Sequence, residues 1–165
     1  MVDWNTLIDE HGPLVLRISW RILGNRADAE DNAQDVFLKA YRLQRREKVQ
    51  HWRGLLRRMA SLGALERLRR RRAQTSLKDL TPVDSGEGPQ ESAMRGELQS
   101  NLRIALAELP PREGAVFTLR FFEEMSLQEI ADSLEISYTA AGAALSRARA
   151  KLEQALRGAV QGEPS

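Results

Sequence analysis

Residues 125–155 read MSLQEIADSLEISYTAAGAALSRARAKLEQA. Ser126 and Glu129 stand at capping-box spacing, in which two side chains satisfy each other's free amides at a helix start. Leu127, Ile130, Ala131 and Leu134 follow at i, i+3, i+4 and i+7, which predicts one apolar face on a helix of roughly eight residues. Glu135-Ile136-Ser137 is then a tight turn, and Ser137 can cap a second, longer helix. That helix turns Leu145, Ala148, Leu152 and Leu156 inward and Arg147, Arg149 and Lys151 elsewhere. Two helices joined by so short a turn cross steeply, which is the layout of a helix-turn-helix.

Upstream, Pro110 and Pro111 sit where a helix start tolerates a missing amide, and Val116, Phe117, Leu119 and Phe121 supply apolar mass for the short helix to pack on. With LPPREGAVFTLRFFEEMSLQEIADSLEIS and LSRARAKL in view, the run from Ala105 to Leu156 resembles region 4 of the bacterial extracytoplasmic-function sigma factors. The departures are informative. The family usually has Thr-Val-Lys-Ser-Arg at the front of its recognition helix, and this chain has Ala140-Ala-Gly-Ala-Ala144. Alanine cannot reach phosphates or base edges, so readout of a −35 element falls to Ser137, Tyr138, Thr139, Arg147 and Arg149. Weak −35 recognition is the expectation, with region 4 serving largely to bind protein. At the turn the family's usual glycine is Glu135, at a cost of about 1 kcal/mol if the site is left-handed.

The absence of cysteine excludes disulfides and cysteine-based zinc sites, and the isolated His11 and His51 make no metal site. No cofactor is implied. No apolar run approaches membrane length and Met1-Val-Asp-Trp4 lacks the features of a signal peptide, so no membrane insertion and a cytoplasmic location are expected. Enzyme chemistry fails on inventory, with no Gly-rich phosphate loop, no nucleophile beside a base and no paired carboxylates in an apolar setting. Net charge is only +2, but the signs are segregated: Asp28, Glu30, Asp31 and Asp35 cluster, and a block of arginines follows from Arg45 to Arg72.

The first helical stretch spans Leu7 to Leu23, open to interruption at His11-Gly12-Pro13 and ended by Gly24-Asn25. The next starts near Asn25 to Asp28 and carries an apolar stripe of Ala33, Val36, Phe37, Ala40 and Tyr41. Its opposite face holds Asp31, Gln34, Asp35 and Leu38, an acidic face with one apolar contact in its middle. Arg42 to Gln50 reads as a basic loop. A third helix from His51 to Arg72 repeats Trp52, Leu55, Leu56, Met59, Ala60 and Gly63, leaves Leu62, Leu65 and Leu68 off that stripe, and carries arginines that suit a polyanion.

This block resembles region 2 of the same family, most closely in GNRADAEDNAQDVFLKAYR, Gly24 to Arg42, although Leu62 replaces the usual asparagine and Glu66 the usual aspartate. The resemblance implies an all-α fold of two small helical domains, region 2 over 1–73 and region 4 over 98–158, with a linker over 74–97 and a tail over 159–165. It implies an alternative sigma factor that binds core RNA polymerase and directs promoter-specific initiation. Asp31, Gln34, Asp35 and Leu38 would dock on the coiled coil of the largest polymerase subunit. Arg45, Arg46, Lys48, Trp52, Arg53, Arg57, Arg58 and Arg69 would take up the −10 element of promoter DNA. Region 4 would meet the −35 element and the flap of the second-largest subunit. Trp52 also lies on the apolar stripe, where core packing is the plainer reading. An anti-sigma factor is the further partner implied, and Leu62 and Leu65 would mark its contact unless the chain itself buries them.

The segment TSLKDLTPVDSGEGPQESAMRGE, residues 75–97, is too polar to order itself, so the modules read as tethered rather than fused. Two other classes fit less well. A sigma-derived accessory regulator without promoter readout would explain the alanine-rich helix, but not the retained acidic face and arginines. A free-standing helix-turn-helix repressor would need a dimerising surface that the pattern does not supply.

Overall fold

The structure, a computed structural model, describes residues 3–75 and 89–160, and all its regular elements there are helices. Helix α1 (Trp4–Leu23) is capped by Asp3 and closed by Gly24, whose φ of 75° suits a residue without a Cβ. It runs through Pro13 without interruption. An interior proline costs about 3 kcal/mol. Beyond it Leu14, Val15, Ile18 and Ile22 are all buried, at roughly 1.5–3 kcal/mol per side chain, which outweighs the lost bond. Asn25 caps α2 (Arg26–Gln44) by accepting from the Asp28 amide, and α2 keeps Arg42 to Gln44 helical, so the basic loop is shorter than the sequence suggests.

Helix α3 (Trp52–Thr75) lies at the centre. It packs on α1 and α2 through its first stripe, and on α4 (Pro89–Glu108), α5 (Pro111–Phe121) and α6 (Leu127–Leu134) through another face. Leu65 and Leu68, off the first stripe, are both 3% exposed, and Leu65 lies against Gly114 of α5. The expectation that Leu65 waits for an outside partner is therefore corrected: α5 of the same chain covers it. Leu62 is half-buried.

Helix α4 begins at Pro89, inside the stretch read as a linker, and residues 76–88 of that stretch lie outside the described residues. Its polar composition hid a helix that gains its order from tertiary packing, since Leu102, Ala105 and Leu106 join the core against α3 and α7 (Tyr138–Val160). Pro111 opens α5 at its first turn. Phe121, expected in the core, is 41% exposed and instead lies under the Arg149 guanidinium, 5.1 Å from the ring centre.

One hydrophobic core joins both halves, running from Leu14 and Ile18 through Leu56 and Leu65 to Leu106, Leu109 and Leu152. A smaller cluster of Val116, Leu119, Met125, Ile130 and Leu145 holds α5, α6 and α7 together. The two modules are thus packed together rather than hanging apart on a tether.

Candidate nucleic-acid interface

On α2, Asp31, Gln34 and Leu38 face solvent, Leu38 at 53% exposure. Asp35 shares that face but pairs with Arg67 of α3, so it is already engaged within the chain. Beside Leu38 an apolar groove opens between α1 and α2, lined by Trp4, Ile8, Leu16, Phe37 and Tyr41. Trp4 organises its floor, edge-on to Phe37, Tyr41 and Trp52 at centroid distances of 6.2, 5.2 and 6.3 Å.

Trp52 belongs to this aromatic cluster and packs on the core, as the apolar stripe suggested. Its outer side nevertheless lines a 400 Å³ pocket with Gln44, Arg45, Arg46, Glu47, Lys48 and Val49, inside the roughly 300–1,000 Å³ range of ligand pockets. Arg45, Arg46, Lys48 and Arg53 are exposed around it. Arg57 and Arg58, one turn further along α3, sit where α6 meets α3. Arg58 pairs with Glu135 at 2.8 Å, and burial, then the charge of Arg53, lowers the Arg57 guanidinium below its usual value. Arg69, at the far end of α3, donates to the Leu109 carbonyl at 2.9 Å. The structure therefore brings Arg45, Arg46, Lys48, Trp52 and Arg53 together, holds Arg57 and Arg58 at α6, and ties Arg69 to the turn between α4 and α5.

The helix-turn-helix forms as its sequence dictates. Ser126 accepts from the Glu129 amide at 3.1 Å and Glu129 accepts from the Ser126 amide at 3.2 Å. Glu135 is left-handed at φ 59°, and Ser137 caps α7 by accepting from the Ala140 amide at 3.0 Å. Ser137, Tyr138, Thr139, Arg147 and Arg149 are exposed along α7, whereas Ala141 and Ala144 are buried. Arg147 leans toward the buried Glu113 at 3.5 Å, a carboxylate also held by Lys151 at 2.9 Å. Sequence reasoning missed Arg17 and Arg21 on α1, which grip Glu123 between α5 and α6 at 2.6 and 3.0 Å. No local signal marks a pair separated by a hundred residues.

Among the described residues no cluster of His, Cys, Asp and Glu could hold a metal, and no helix is long and apolar enough to cross a membrane. The Sigma-70 region 2 family model matches residues 7–74, and the Sigma-70, region 4 model matches residues 100–152. ECF RNA polymerase sigma factor SigE of Mycolicibacterium smegmatis is 28% identical over 160 residues, covering 94% of this chain, which spans 62% of that protein's length. ECF RNA polymerase sigma factor SigW of Bacillus subtilis is 26% identical over 166 residues, covering 92% of this chain and 87% of its own. In fold, the chain is similar to the sigma factor RpoE solved with the anti-sigma factor NepR from Bartonella quintana, with a TM-score of 0.56 at 17% identity over 94% of this chain and 97% of that one. Both halves of the family pattern, in their order and each on its own helical module, lead to one conclusion: the chain belongs to the sigma-70 family of RNA polymerase sigma factors, in its extracytoplasmic-function group.

Proposed function

We propose that this chain acts as an alternative sigma factor, joining core RNA polymerase and directing it to promoters by taking up and melting the −10 element while engaging the −35 region. The observation that carries this reading is the division of region 2 into two unlike surfaces. The outer face of α2 presents Asp31, Gln34 and Leu38 beside an apolar groove, the mix of one apolar anchor and acidic neighbours that suits a basic helical partner such as the coiled coil of the largest polymerase subunit. Asp35 would join that contact on exchanging Arg67 for a polymerase cation.

The other surface is cationic. Arg45, Arg46, Lys48 and Arg53 would neutralise phosphates, a term that binds any sequence, and the pocket edged by Trp52 would hold an unpaired base. Capturing extruded bases offsets the few kcal/mol that unstacking costs, without nucleotide hydrolysis. Ser137, Tyr138, Thr139, Arg147 and Arg149 would meet the −35 region and other parts of region 4 the polymerase flap. An anti-sigma factor remains a proposed partner, by likeness to RpoE, but its contact cannot rest on the buried Leu65. A partner of polymerase works in the cytoplasm, where we place the chain.

Co-migration with bacterial core polymerase tests this reading. Leu38→Asp should weaken the complex at least tenfold, about 1.4 kcal/mol, because it puts a charge where an apolar anchor docks. Undiminished binding by Leu38→Asp would remove α2 from the interface. One observation favours a second reading, an accessory regulator that binds polymerase without reading promoters: Ala140 to Ala144 leave the front of α7 without polar reach. It predicts polymerase binding with no new transcripts.

A further inference from the structure

The pocket beside Trp52 is lined by three cations and a single acid, Glu47. Trp52 opens α3 and packs edge-on to Trp4, 6.3 Å away between ring centres. The rest of the lining runs from Gln44 to Val49, where the chain leaves α2 in a turn. The Arg46 and Glu47 amides both donate to the Leu43 carbonyl, at 2.9 and 3.0 Å, so the backbone that carries Glu47 is pinned to the end of α2.

Glu47 is exposed, and among the described residues its carboxylate has no ion-pair or hydrogen-bond partner, although Arg46 and Lys48 are its chain neighbours. Asp28, Asp35, Glu123 and Glu135, by contrast, are each paired with an arginine from another helix. A loop that only neutralised phosphates would gain nothing from an unpaired carboxylate, which repels them. Such a group does gain where it meets a donor on a base edge, because a carboxylate accepts hydrogen bonds and never donates. Cytosine and adenine each offer an exocyclic amino group. Guanine offers its N1–H and amino group side by side, a match for both carboxylate oxygens. Thymine has no amino group, and the one N–H on its pairing edge lies between two carbonyl oxygens that a carboxylate repels.

We propose that Glu47 selects the base held in this pocket, admitting one that carries an exocyclic amino group and rejecting thymine. This rests on reading the pocket as the seat of an unpaired −10 base. Arg45, Arg46 and Lys48 then hold the strand whatever its sequence, and Glu47 supplies the preference that cations on phosphates cannot.

The test is transcription by bacterial core polymerase loaded with the full-length chain, from barcoded templates randomised upstream of the start, so that the transcripts report the base preference at every position. With the natural chain, one −10 position should deplete thymine about tenfold against the amino-bearing bases, the discrimination of one good side-chain contact to a base. Glu47→Gln, whose amide both donates and accepts, should restore thymine at that position and leave the others unchanged. Glu47→Ala, which removes the acceptor, should erase the same depletion. Glu10→Gln, an exposed carboxylate on α1, should keep the natural pattern. Unchanged helical circular dichroism identifies the variants that fold. A thymine depletion that survives in both Glu47 variants overturns the proposal, as does a gain in output that is equal for every template, which would mean that Glu47 only screens phosphates. Arg45→Ala with Arg46→Ala separates the two readings: if this pair transcribes every template as well as the natural chain does, the loop does not meet DNA, and the fault lies in the reading of the pocket as the base seat.

Discussion

Asn32 shows what a single buried polar residue does here. At 1% exposure it donates from Nδ2 to Ser19 Oγ at 2.8 Å and to the Ala60 carbonyl at 3.1 Å, tying α2 to α1 and α3. Replacing it by alanine leaves those acceptors unpaired, and Asn32→Ala should cost about 1–3 kcal/mol in denaturant unfolding, against no change if the bonds are incidental. Gly63 lies directly opposite, where a Cβ would fall 2.6 Å from Asn32 Oδ1, so α2 and α3 can approach only over a glycine. Neither role was legible in the sequence, because a polar residue that follows Glu30 and Asp31 reads as surface, and Gly63 reads as one more small residue on the stripe. Asp28 behaves differently. Burial alone would raise its carboxyl, but hydrogen bonds from Asn25 and Arg71 and the charges of Arg71 and Arg67 hold it below the usual range. Its folded value is depressed, so its stabilisation is present above the ordinary aspartate value of about 3.9 and is lost as pH falls through the folded value. Asp28→Asn should therefore be less stable than the natural chain at neutral pH, and the gap should close in acid. A gap that persists at pH 2 would show that the loss is packing rather than charge.

At the level of elements, the helix-turn-helix was the most legible part. Its capping box, the apolar spacing of α6 and the Ser137 cap are local features, and each appears in the structure as written in the sequence. The Glu129 carboxyl is lowered by its hydrogen bonds to the Ser126 amide and side chain, so the box weakens as pH falls through that depressed value. Ser126→Ala should cost about 0.5–2 kcal/mol in thermal unfolding, and a smaller effect would mean that tertiary packing alone starts α6. In α7, Gly142 has nothing within 4 Å of where a Cβ would stand. Gly142→Ala should therefore stabilise the chain by about 0.5–1 kcal/mol through helix propensity, without touching the exposed Arg147 or Arg149. Helix α4 and the second buried face of α3 were not legible, and for one reason. Periodicity shows that a face is apolar or mixed, but not which distant element covers it, and Leu65 and Leu68 became core only because α4 and α5 arrive from far along the chain. The alanine front of α7 leaves the −35 prediction standing: single-base changes across that element should alter transcription little, and a sharp loss at two or more positions would contradict it.

For the whole molecule, the shared core from Leu14 to Leu152 predicts that the two modules unfold together. The three tryptophans, Trp4, Trp20 and Trp52, all lie in the first module, whereas far-UV circular dichroism reports every helix. The two signals should therefore lose native character at one denaturant concentration, and two separated transitions would mean that the modules fold independently. The same packing explains why the candidate sites were only half legible. The exposed cations Arg45, Arg46, Lys48 and Arg53 are where a charge count puts them, but the pairing of Arg58 with Glu135 and of Arg17 and Arg21 with Glu123 depends on how one module lies on the other. The central claim is that this chain starts transcription, and it is tested most directly by run-off transcription with the purified protein, bacterial core polymerase and fragmented genomic DNA from its source, followed by sequencing of the transcripts. New transcripts sharing an upstream −10 motif are the predicted result; polymerase that binds the chain yet makes no new transcript would contradict it.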